Sequence, residues 1–291
     1  MEESMFPLTA DLNCDCAEAE AYGAARHENY KNASPFPHIV IDDFLEPEIL
    51  RRVITDLQTL PKPDRAYNRA QERLKTQYNP DLLPHSTRSL FYFFNSKPFV
   101  VFLEWLTGIG GLMPDPHFDG GGIHRIEPGG HLSIHADFNH HLRTNTERRL
   151  NVIVYLNENW KSEYGSQLEL WDRSMDRCVR SIEPLFNRCV IFNTSSFSFH
   201  GNPNPVTHPE GKPRLSMALY YYTATWDGSR REHTTQFKVR PGTGDKHDWS
   251  IRRRELLDDW MPPVLRRNAK RYIGKVSSKL RKMVGRNETQ R

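Results

Sequence analysis

The sequence contains no run of about 18 apolar residues, which is the length that a membrane-spanning helix needs. Residues 1–21 are acidic and lack the apolar stretch of a secretory signal. We therefore expect a cytoplasmic protein without a membrane-spanning helix.

Cysteine is also scarce, with four residues in 291. Cys14 and Cys16 form a single C-x-C pair, whereas Cys178 and Cys189 stand apart. A zinc site usually needs a second pair or histidines at suitable spacing, and a cytoplasmic location disfavours disulfides. The four cysteines are therefore predicted to be free thiols, and they exclude a disulfide-stabilised secreted scaffold.

The net charge of +4 is unevenly distributed along the chain. Residues 252–291 hold 13 basic and four acidic residues, so the preceding part carries a net charge of −5. Apolar residues recur at helical spacing within residues 264–286, which predicts a basic amphipathic helix. It could be a solvated appendage or bind an anionic membrane surface, which would make the protein peripheral there. Nucleic acid is the least favoured partner, because no aromatic stacking platform accompanies the helix.

Turn residues are abundant, with 20 prolines and 17 glycines, and 37% of the residues are hydrophobic. This composition favours a folded protein that is rich in short strands. We predict a flexible arm over residues 1–34, one catalytic domain over 35–226 and a C-terminal extension over 227–291. The extension contains the basic helix.

Two amphipathic helices are predicted before the strand-rich region. One follows a short β-type run at 38–41, and the other covers residues 97–112 and is ended by glycines. The stretch between them, 61–97, is irregular and rich in Arg, Gln and Asn, which is typical of a lid or substrate-contact region.

Short runs of β-branched and aromatic residues alternate with turn residues in the core region, 121–225. Eight short strands at this spacing predict a jelly-roll or cupin-like barrel. The fold class is therefore α+β with a mainly β core and supporting N-terminal helices. The predicted strands cover 122–127, 131–137, 149–156, 167–171, 178–183, 188–193, 197–200 and 214–223.

The segment HLSIHADFNHH, residues 131–141, concentrates histidines in one of these strands. Side chains alternate across a strand, so His135 and Asp137 lie on one face with apolar residues behind them. Their Cα atoms are about 6.6 Å apart, and both side chains can reach one metal ion. His131 shares that face as a predicted pocket wall, and His140 and His141 are predicted to lie on the following loop.

His200 is the candidate third ligand, because it follows the predicted strand at 188–193. Two imidazoles and one carboxylate form the facial triad of Fe(II) oxygenases, but zinc accepts the same ligands. The triad alone therefore leaves iron oxygenation and zinc hydrolysis open. His124 is interpreted as structural.

The final predicted strand carries Arg214 and Ser216 on one face. An arginine can bind a carboxylate through two parallel hydrogen bonds, as the far carboxylate of 2-oxoglutarate requires. A zinc hydrolase needs no such arginine. The Tyr155 hydroxyl can donate a hydrogen bond to the same carboxylate. Asn151 shares the face of Tyr155, and we predict that it also belongs to the cofactor-binding group. Arg148 stands at the start of that strand, and we expect its side chain to be solvated.

Six sequence elements in order resemble the 2-oxoglutarate- and Fe(II)-dependent dioxygenases, and within them the prolyl 4-hydroxylase-like group. The elements are HAD (135–137), RRLNVIVYLNENW (148–160), LELWD (168–172), IEPLFNRCVIF (182–192), SFHGNPNPV (198–206) and RLSMALYYYT (214–223). Together with the two predicted helices, the resemblance covers about two thirds of the chain.

The resemblance implies a double-stranded β-helix with iron at its mouth. His135, Asp137 and His200 match the catalytic iron ligands, Arg214 matches the residue that binds 2-oxoglutarate, and Tyr155 and Ser216 match its neighbours. Two departures are Gly165-Ser166, where relatives often have two glycines, and a long loop after His200.

The expected reaction hydroxylates an unactivated C–H bond and converts 2-oxoglutarate and O₂ to succinate and CO₂. Ascorbate would be a supporting reductant. A prolyl, other amino-acid or peptide substrate is favoured, and a sugar, lipid or natural product is the alternative. A zinc-dependent hydrolase or isomerase leaves Arg214 unexplained. A non-catalytic binding barrel predicts a broken triad, which the sequence does not have. The oligomeric state is left open.

Overall fold

The computed structural model of the protein describes residues 5–229 and 232–245. Five α-helices in these residues precede the barrel strands that hold the candidate site. They are α1 (Cys16–Ala24), α2 (His27–Lys31), α3 (Pro47–Asp56), α4 (His85–Phe94) and α5 (Lys97–Thr107). Helix α5 ends at Gly108, whose φ of 71° is the left-handed conformation that glycine adopts readily at a helix end.

The described residues also form thirteen strands, all in one antiparallel sheet. Before the core region lie β1 (His38–Ile41), β2 (Arg65–Tyr67), β3 (Glu72–Tyr78) and β4 (Met113–Pro114). The core strands are β5 (Gly122–Ala136), β6 (His140–His141), β7 (Thr146–Tyr155), β8 (Leu168–Trp171), β9 (Cys178–Ile182), β10 (Cys189–Asn193), β11 (His200–Asn202) and β12 (Arg214–Thr223). The last described strand is β13 (Gln236–Phe237).

The long strand β5 belongs to both halves of the sheet. Its first part pairs with β12 and continues the order β1-β10-β7-β12-β5, whereas its last part pairs with β11 and continues β5-β11-β8-β9. Gly129 lies between the two parts with a φ of 81°, which a residue with a Cβ adopts with strain. Two half-sheets joined in this way form the predicted double-stranded β-helix.

The helices pack on the outer face of β7 and β12. Alternate residues of β7, such as Val152 and Val154, are fully buried in one cluster with Phe99 and Phe102 of α5. The other residues of these strands face the barrel interior, where the candidate site lies. Because side chains alternate across a strand, β7 and β12 contribute residues both to the core and to the candidate site.

The N-terminal region differs from the predicted flexible arm over residues 1–34. Its described part, 5–34, contains α1 and α2, and Phe6, Tyr22 and Tyr30 are buried in the main core. Phe6 contacts five aromatic rings. A few large aromatic residues anchor this region without any sustained period, so the sequence pattern did not reveal it.

The predicted irregular region, 61–97, contains the β2–β3 hairpin and α4 instead. Strand β3 is polar in sequence but pairs with β5, and Leu74 interrupts the alternation with a φ of 50°. The prediction of an irregular region was therefore wrong, because it relied on the polar composition of this segment. His140 and His141 likewise form β6, which pairs with β7, and do not lie on a loop as predicted.

The barrel unit extends beyond the predicted domain end at 226, because β13 pairs with β5. The unit that contains the barrel ends at Asp245, which is also the last described residue. The predicted basic helix at 264–286, and with it the proposed membrane contact, lies outside the described residues. Among the described residues, no helix is long and apolar enough to cross a membrane.

Candidate active site

Three potential metal ligands converge at the end of the barrel formed by β5 and β11. The side chains of His135, Asp137 and His200 each offer one ligand atom, and these atoms lie within 4.8 Å of one another. His135 and His200 are cross-strand partners in the β5–β11 ladder, and Asp137 directly follows β5. Strand pairing therefore unites residues that are 65 positions apart in the sequence.

Both imidazoles are oriented by the same local hydrogen bond. The Nδ1 of His135 donates to the carbonyl of Ser133 at 2.9 Å, and the Nδ1 of His200 donates to that of Ser198 at 2.9 Å. A carbonyl only accepts, so each Nδ1 carries the proton and each Nε2 has a free lone pair. This is the tautomer that a metal ligand needs.

The distances between the candidate ligand atoms are close to those expected around a single ion. The Nε2 of His135 is 3.5 Å from Oδ1 of Asp137, and the Nε2 of His200 is 3.4 Å from Oδ2. Two atoms that each lie about 2.1 Å from one ion, at angles of about 90–110°, are roughly 3.0–3.4 Å apart. Two nitrogens and one carboxylate that leave further positions open are a donor set suited to Fe(II).

Asp137 is also held by two residues of β7, which contact the same carboxylate oxygen that faces His200. Oδ2 of Asp137 accepts a hydrogen bond from Nδ2 of Asn151 at 2.7 Å and lies 3.1 Å from Nη2 of Arg148. Burial by itself raises the pKa of Asp137, but Arg148, followed by the two histidines, lowers this pKa well below its ordinary value. The carboxylate is therefore ionised and oriented before any ion binds.

Arg148 is deeply buried, with 2% of its surface exposed, although we expected its side chain to be solvated. Its guanidinium donates to Oδ1 of Asn151 and lies 3.6 Å from the ring centre of Tyr220. The register between β7 and β12 shifts between Tyr221 and Tyr222, so Tyr222 faces Arg148 and Arg149 is bulged. The extra residue reverses the alternation and directs Arg148 inwards. Without this bulge, simple alternation predicts that Arg149 faces the barrel interior.

Arg214, Tyr155 and Ser216 form a second polar group inside the barrel. Ser216 faces Tyr155 across the β12–β7 ladder, and the guanidinium of Arg214 lies 3.3 Å from the Tyr155 hydroxyl and 3.5 Å from Oγ of Ser216. Only 4% of Arg214 is exposed, and its Nε has no hydrogen-bond partner. Within residues 5–229 and 232–245, no carboxylate pairs with this guanidinium.

The charge around Arg214 favours an anion. Burial lowers the pKa of the Arg214 guanidinium, but an arginine remains charged in proteins. Burial also lowers the pKa of nearby His124 well below its ordinary value, and Lys75 and Arg214 lower it further. The interior at this end is therefore cationic, with a neutral His124 and an incompletely bonded arginine.

The structure separates the predicted cofactor-binding residues into two groups. Arg214, Tyr155 and Ser216 lie together, whereas Asn151 contacts Asp137 and Arg148. His131, the predicted pocket wall, contacts the carbonyl of Ala70 in the turn of the β2–β3 hairpin through its Nε2. The triad is thus one cluster, and the arginine group is another.

Comparisons with known proteins find similar sequences. The sequence profile of the 2OG-Fe(II) oxygenase superfamily matches residues 121–222. Prolyl 3-hydroxylase OGFOD1 from Mus musculus is 27% identical over 239 residues, which cover 79% of this chain. The chain spans 39% of the length of that curated relative.

Two of the solved structures that this chain is similar to are prolyl hydroxylases. A prolyl hydroxylase in complex with a hypoxia inducible factor oxygen degradation domain peptide fragment, from Trichoplax adhaerens, has a TM-score of 0.52 and 19% identity over 74% of this chain and 96% of that one. A prolyl-4-hydroxylase from Pseudomonas putida has a TM-score of 0.46 and 17% identity, covering 69% of this chain and 98% of that one. The first of these likenesses shows the fold.

Proposed function

We propose that the protein is a 2-oxoglutarate-dependent Fe(II) hydroxylase, because residues 121–222 match the 2OG-Fe(II) oxygenase superfamily. Its reaction would insert one oxygen atom of O₂ into an unactivated C–H bond of the substrate. The other oxygen atom would enter succinate, which forms with CO₂ from 2-oxoglutarate.

The observation that carries this proposal is the presence of two buried groups in one barrel. One group is a two-histidine, one-carboxylate cluster, and the other is an arginine with an unpartnered Nε. A zinc hydrolase would use the first group and leave the second without a role. A cosubstrate that has a metal-chelating 2-oxo acid at one end and a carboxylate at the other uses both.

His135, Asp137 and His200 are the proposed ligands of Fe(II). When bound, Fe(II) supplies the activation of O₂ that the side chains cannot provide. The two imidazoles present their Nε2 lone pairs, and Asp137 adds a negative charge. Arg148 and Asn151 hold the carboxylate in place through its Oδ2. The protein thereby keeps the ligand set rigid and leaves the remaining positions to cosubstrate and O₂.

Arg214 is proposed to bind the far carboxylate of 2-oxoglutarate. Its guanidinium is fixed near Tyr155 and Ser216, whose hydroxyls can donate to the same carboxylate. Burial raises the pKa of Tyr155, so its hydroxyl keeps the proton that it donates. An arginine that is buried without a carboxylate partner forms strong, charge-assisted hydrogen bonds when the carboxylate of 2-oxoglutarate binds.

A prolyl or other peptide substrate is the proposed target, supported by the relatives named above. The mouse relative is a prolyl 3-hydroxylase, and the Trichoplax enzyme was solved with a peptide fragment. O₂ is the proposed oxidant, with ascorbate as a supporting reductant. A sugar, lipid or natural product is the alternative outcome of a substrate screen.

Succinate release tests the proposal. Purified protein with Fe(II), 2-oxoglutarate and O₂ is expected to release succinate, faster with a peptide that contains the target residue. His200→Ala should abolish this release, whereas His85→Ala, at an exposed histidine at the start of α4, should retain it. A wild-type protein that binds neither Fe(II) nor 2-oxoglutarate would refute the proposal.

A further inference from the structure

A segment beyond the last barrel strand, residues 232–240, crosses the edge of the barrel next to the candidate metal site. We name it the C-terminal strap. Its centre is β13, which pairs with the last residues of β5: Gln236 faces Ala136 and Phe237 faces His135. The backbone N–H of Lys238 also donates to the carbonyl of Ile134 at 2.7 Å. The strap thus adds a strand beside a candidate metal ligand.

The register places Phe237 on the same face as His135. Directly paired residues in an antiparallel ladder project to the same side of the sheet. The ring centres of Phe237 and His135 are 5.5 Å apart, with an interplanar angle of 42°. The ring of His200 lies 4.5 Å from that of His135. The His135 imidazole therefore packs between the second histidine and the strap.

The strap also contacts the segment that carries His200. Nε2 of His233 lies 2.8 Å from Oγ of Ser196, and the ammonium group of Lys238 lies 5.3 Å from the ring centre of Phe199. Further along, Nη1 of Arg240 donates to Oδ1 of Asn204 at 3.3 Å. These contacts lie on both sides of His200 in the sequence.

On the β5 side, the strap has a second attachment just after Asp137. The backbone N–H of His233 donates to Oδ1 of Asn139 at 3.0 Å. The same histidine therefore joins the segment after Asp137 to the segment before His200. A short strand with attachments on both sides restricts the relative movement of the two ligand-bearing segments.

From these contacts we propose that the C-terminal strap is a structural part of the metal centre and that Phe237 is a positioning residue for His135. This inference rests on the proposed function, because it needs an ion at the triad. The hydrogen bond to Ser133 fixes the tautomer of His135 but permits the imidazole to tilt. Contact with Phe237 limits that tilt, so the Nε2 lone pair stays directed at the ion. Residues that contact a metal ligand, but not the metal itself, influence the affinity of the site for the metal.

Metal binding by Phe237→Ala tests the inference without relying on turnover. Mn(II) is titrated into the metal-free full chain, and free Mn(II) is followed by electron paramagnetic resonance. We expect Mn(II) affinity to fall about 10- to 100-fold, the usual cost of losing a partner that orients a ligand. Phe237→Leu, which retains bulk, should recover most of the affinity. Gln236→Ala changes the neighbouring side chain on the opposite face and should bind like the wild type.

Two further readouts separate positioning from general stability. The melting temperature of the metal-free Phe237→Leu protein should match that of the wild type, and the visible absorption of Co(II)-substituted Phe237→Ala should differ from that of the wild type. Unchanged Mn(II) affinity and Co(II) spectra in both Phe237 variants would overturn the inference and leave the proposed function intact. A wild-type chain that binds no Mn(II) would instead overturn the proposed function.

Discussion

Two buried arginines in the barrel interior differ in how completely their charges are bonded. Arg148 lies 3.1 Å from the Asp137 carboxylate, donates to Asn151 and contacts the ring of Tyr220. Arg214 is almost equally buried, but among the described residues its guanidinium has two long hydrogen bonds to hydroxyls and its Nε has no partner. Both guanidinium groups are therefore similarly buried, but the hydrogen bonding of Arg148 is satisfied and that of Arg214 is not.

The difference indicates two distinct roles. A buried charge is costly unless it is paired, so natural proteins keep an incompletely paired one chiefly where a ligand completes it. The charge of Arg148 is paired within the protein, and Arg148 holds a proposed metal ligand in place. The charge of Arg214 is paired when the proposed cosubstrate binds. Removal of the Arg148 partner should therefore destabilise the protein, whereas removal of Arg214 should weaken ligand binding without destabilising it.

Asp137→Ala should have the largest effect. It removes a proposed ligand and leaves Arg148 buried without its carboxylate, which typically costs about 3–5 kcal/mol of unfolding free energy. We expect no measurable succinate formation and an unfolding free energy, from urea titration, that is lower by that amount. The double variant Asp137→Ala/Arg148→Met should recover stability without activity. A single variant as stable as the wild type would contradict the account of Arg148.

Arg214→Met should weaken 2-oxoglutarate binding without destabilising the protein. Losing one partner of a buried charge pair costs about 2–5 kcal/mol, which corresponds to an affinity loss of about 30-fold or more. Because Arg214 has no carboxylate partner in the described residues, the unfolding free energy without cosubstrate should stay constant or rise. Calorimetric titration and urea unfolding measure the two quantities, with exposed Arg177→Met as the control.

Asn151→Ala should weaken metal binding and affect 2-oxoglutarate less. It removes one hydrogen bond to Oδ2 of Asp137, and losing such a partner usually costs about 10–100-fold in metal affinity. Mn(II) titration measures the effect, with exposed Asn159→Ala as the control. A change confined to 2-oxoglutarate affinity would instead assign Asn151 to the cosubstrate, as the sequence pattern predicted.

Tyr155→Phe should have the smallest effect, confined to the end of the barrel that holds Arg214. Losing one hydrogen bond costs about 0.5–1.5 kcal/mol, which raises the KM for 2-oxoglutarate about two- to twelvefold. Steady-state succinate release should show little change in kcat, and Mn(II) affinity should not change. Weaker Mn(II) binding by this variant would show that the two ends are not independent.

The sequence was sufficient to predict residues that follow regular alternation. His135 and Asp137 share a strand face, Arg214 and Ser216 share another, and the order of elements predicted the barrel. Arg148 was missed because a bulge at Arg149 reverses the alternation, and that bulge depends on the register with β12. Sequence periodicity contains no information about such a register.

Pairing between distant segments accounts for the other differences. Strand β13 pairs with β5, about 100 residues earlier in the chain, and the polar segment β3 also forms a strand by pairing with β5. Phe6 is buried by aromatic residues from α1, α4 and α5. In each case the stabilising contact is tertiary, so local composition gave the wrong interpretation.

The most direct test of the account compares 2-oxoglutarate with pyruvate, which has the same 2-oxo acid group but lacks the far carboxylate. Both are titrated without O₂ into Fe(II)-loaded wild-type protein and into Arg214→Met. The account predicts that the wild type prefers 2-oxoglutarate by about 30-fold or more, and that Arg214→Met loses this preference while binding pyruvate like the wild type. An unchanged preference in Arg214→Met would contradict the assignment of Arg214 to the far carboxylate.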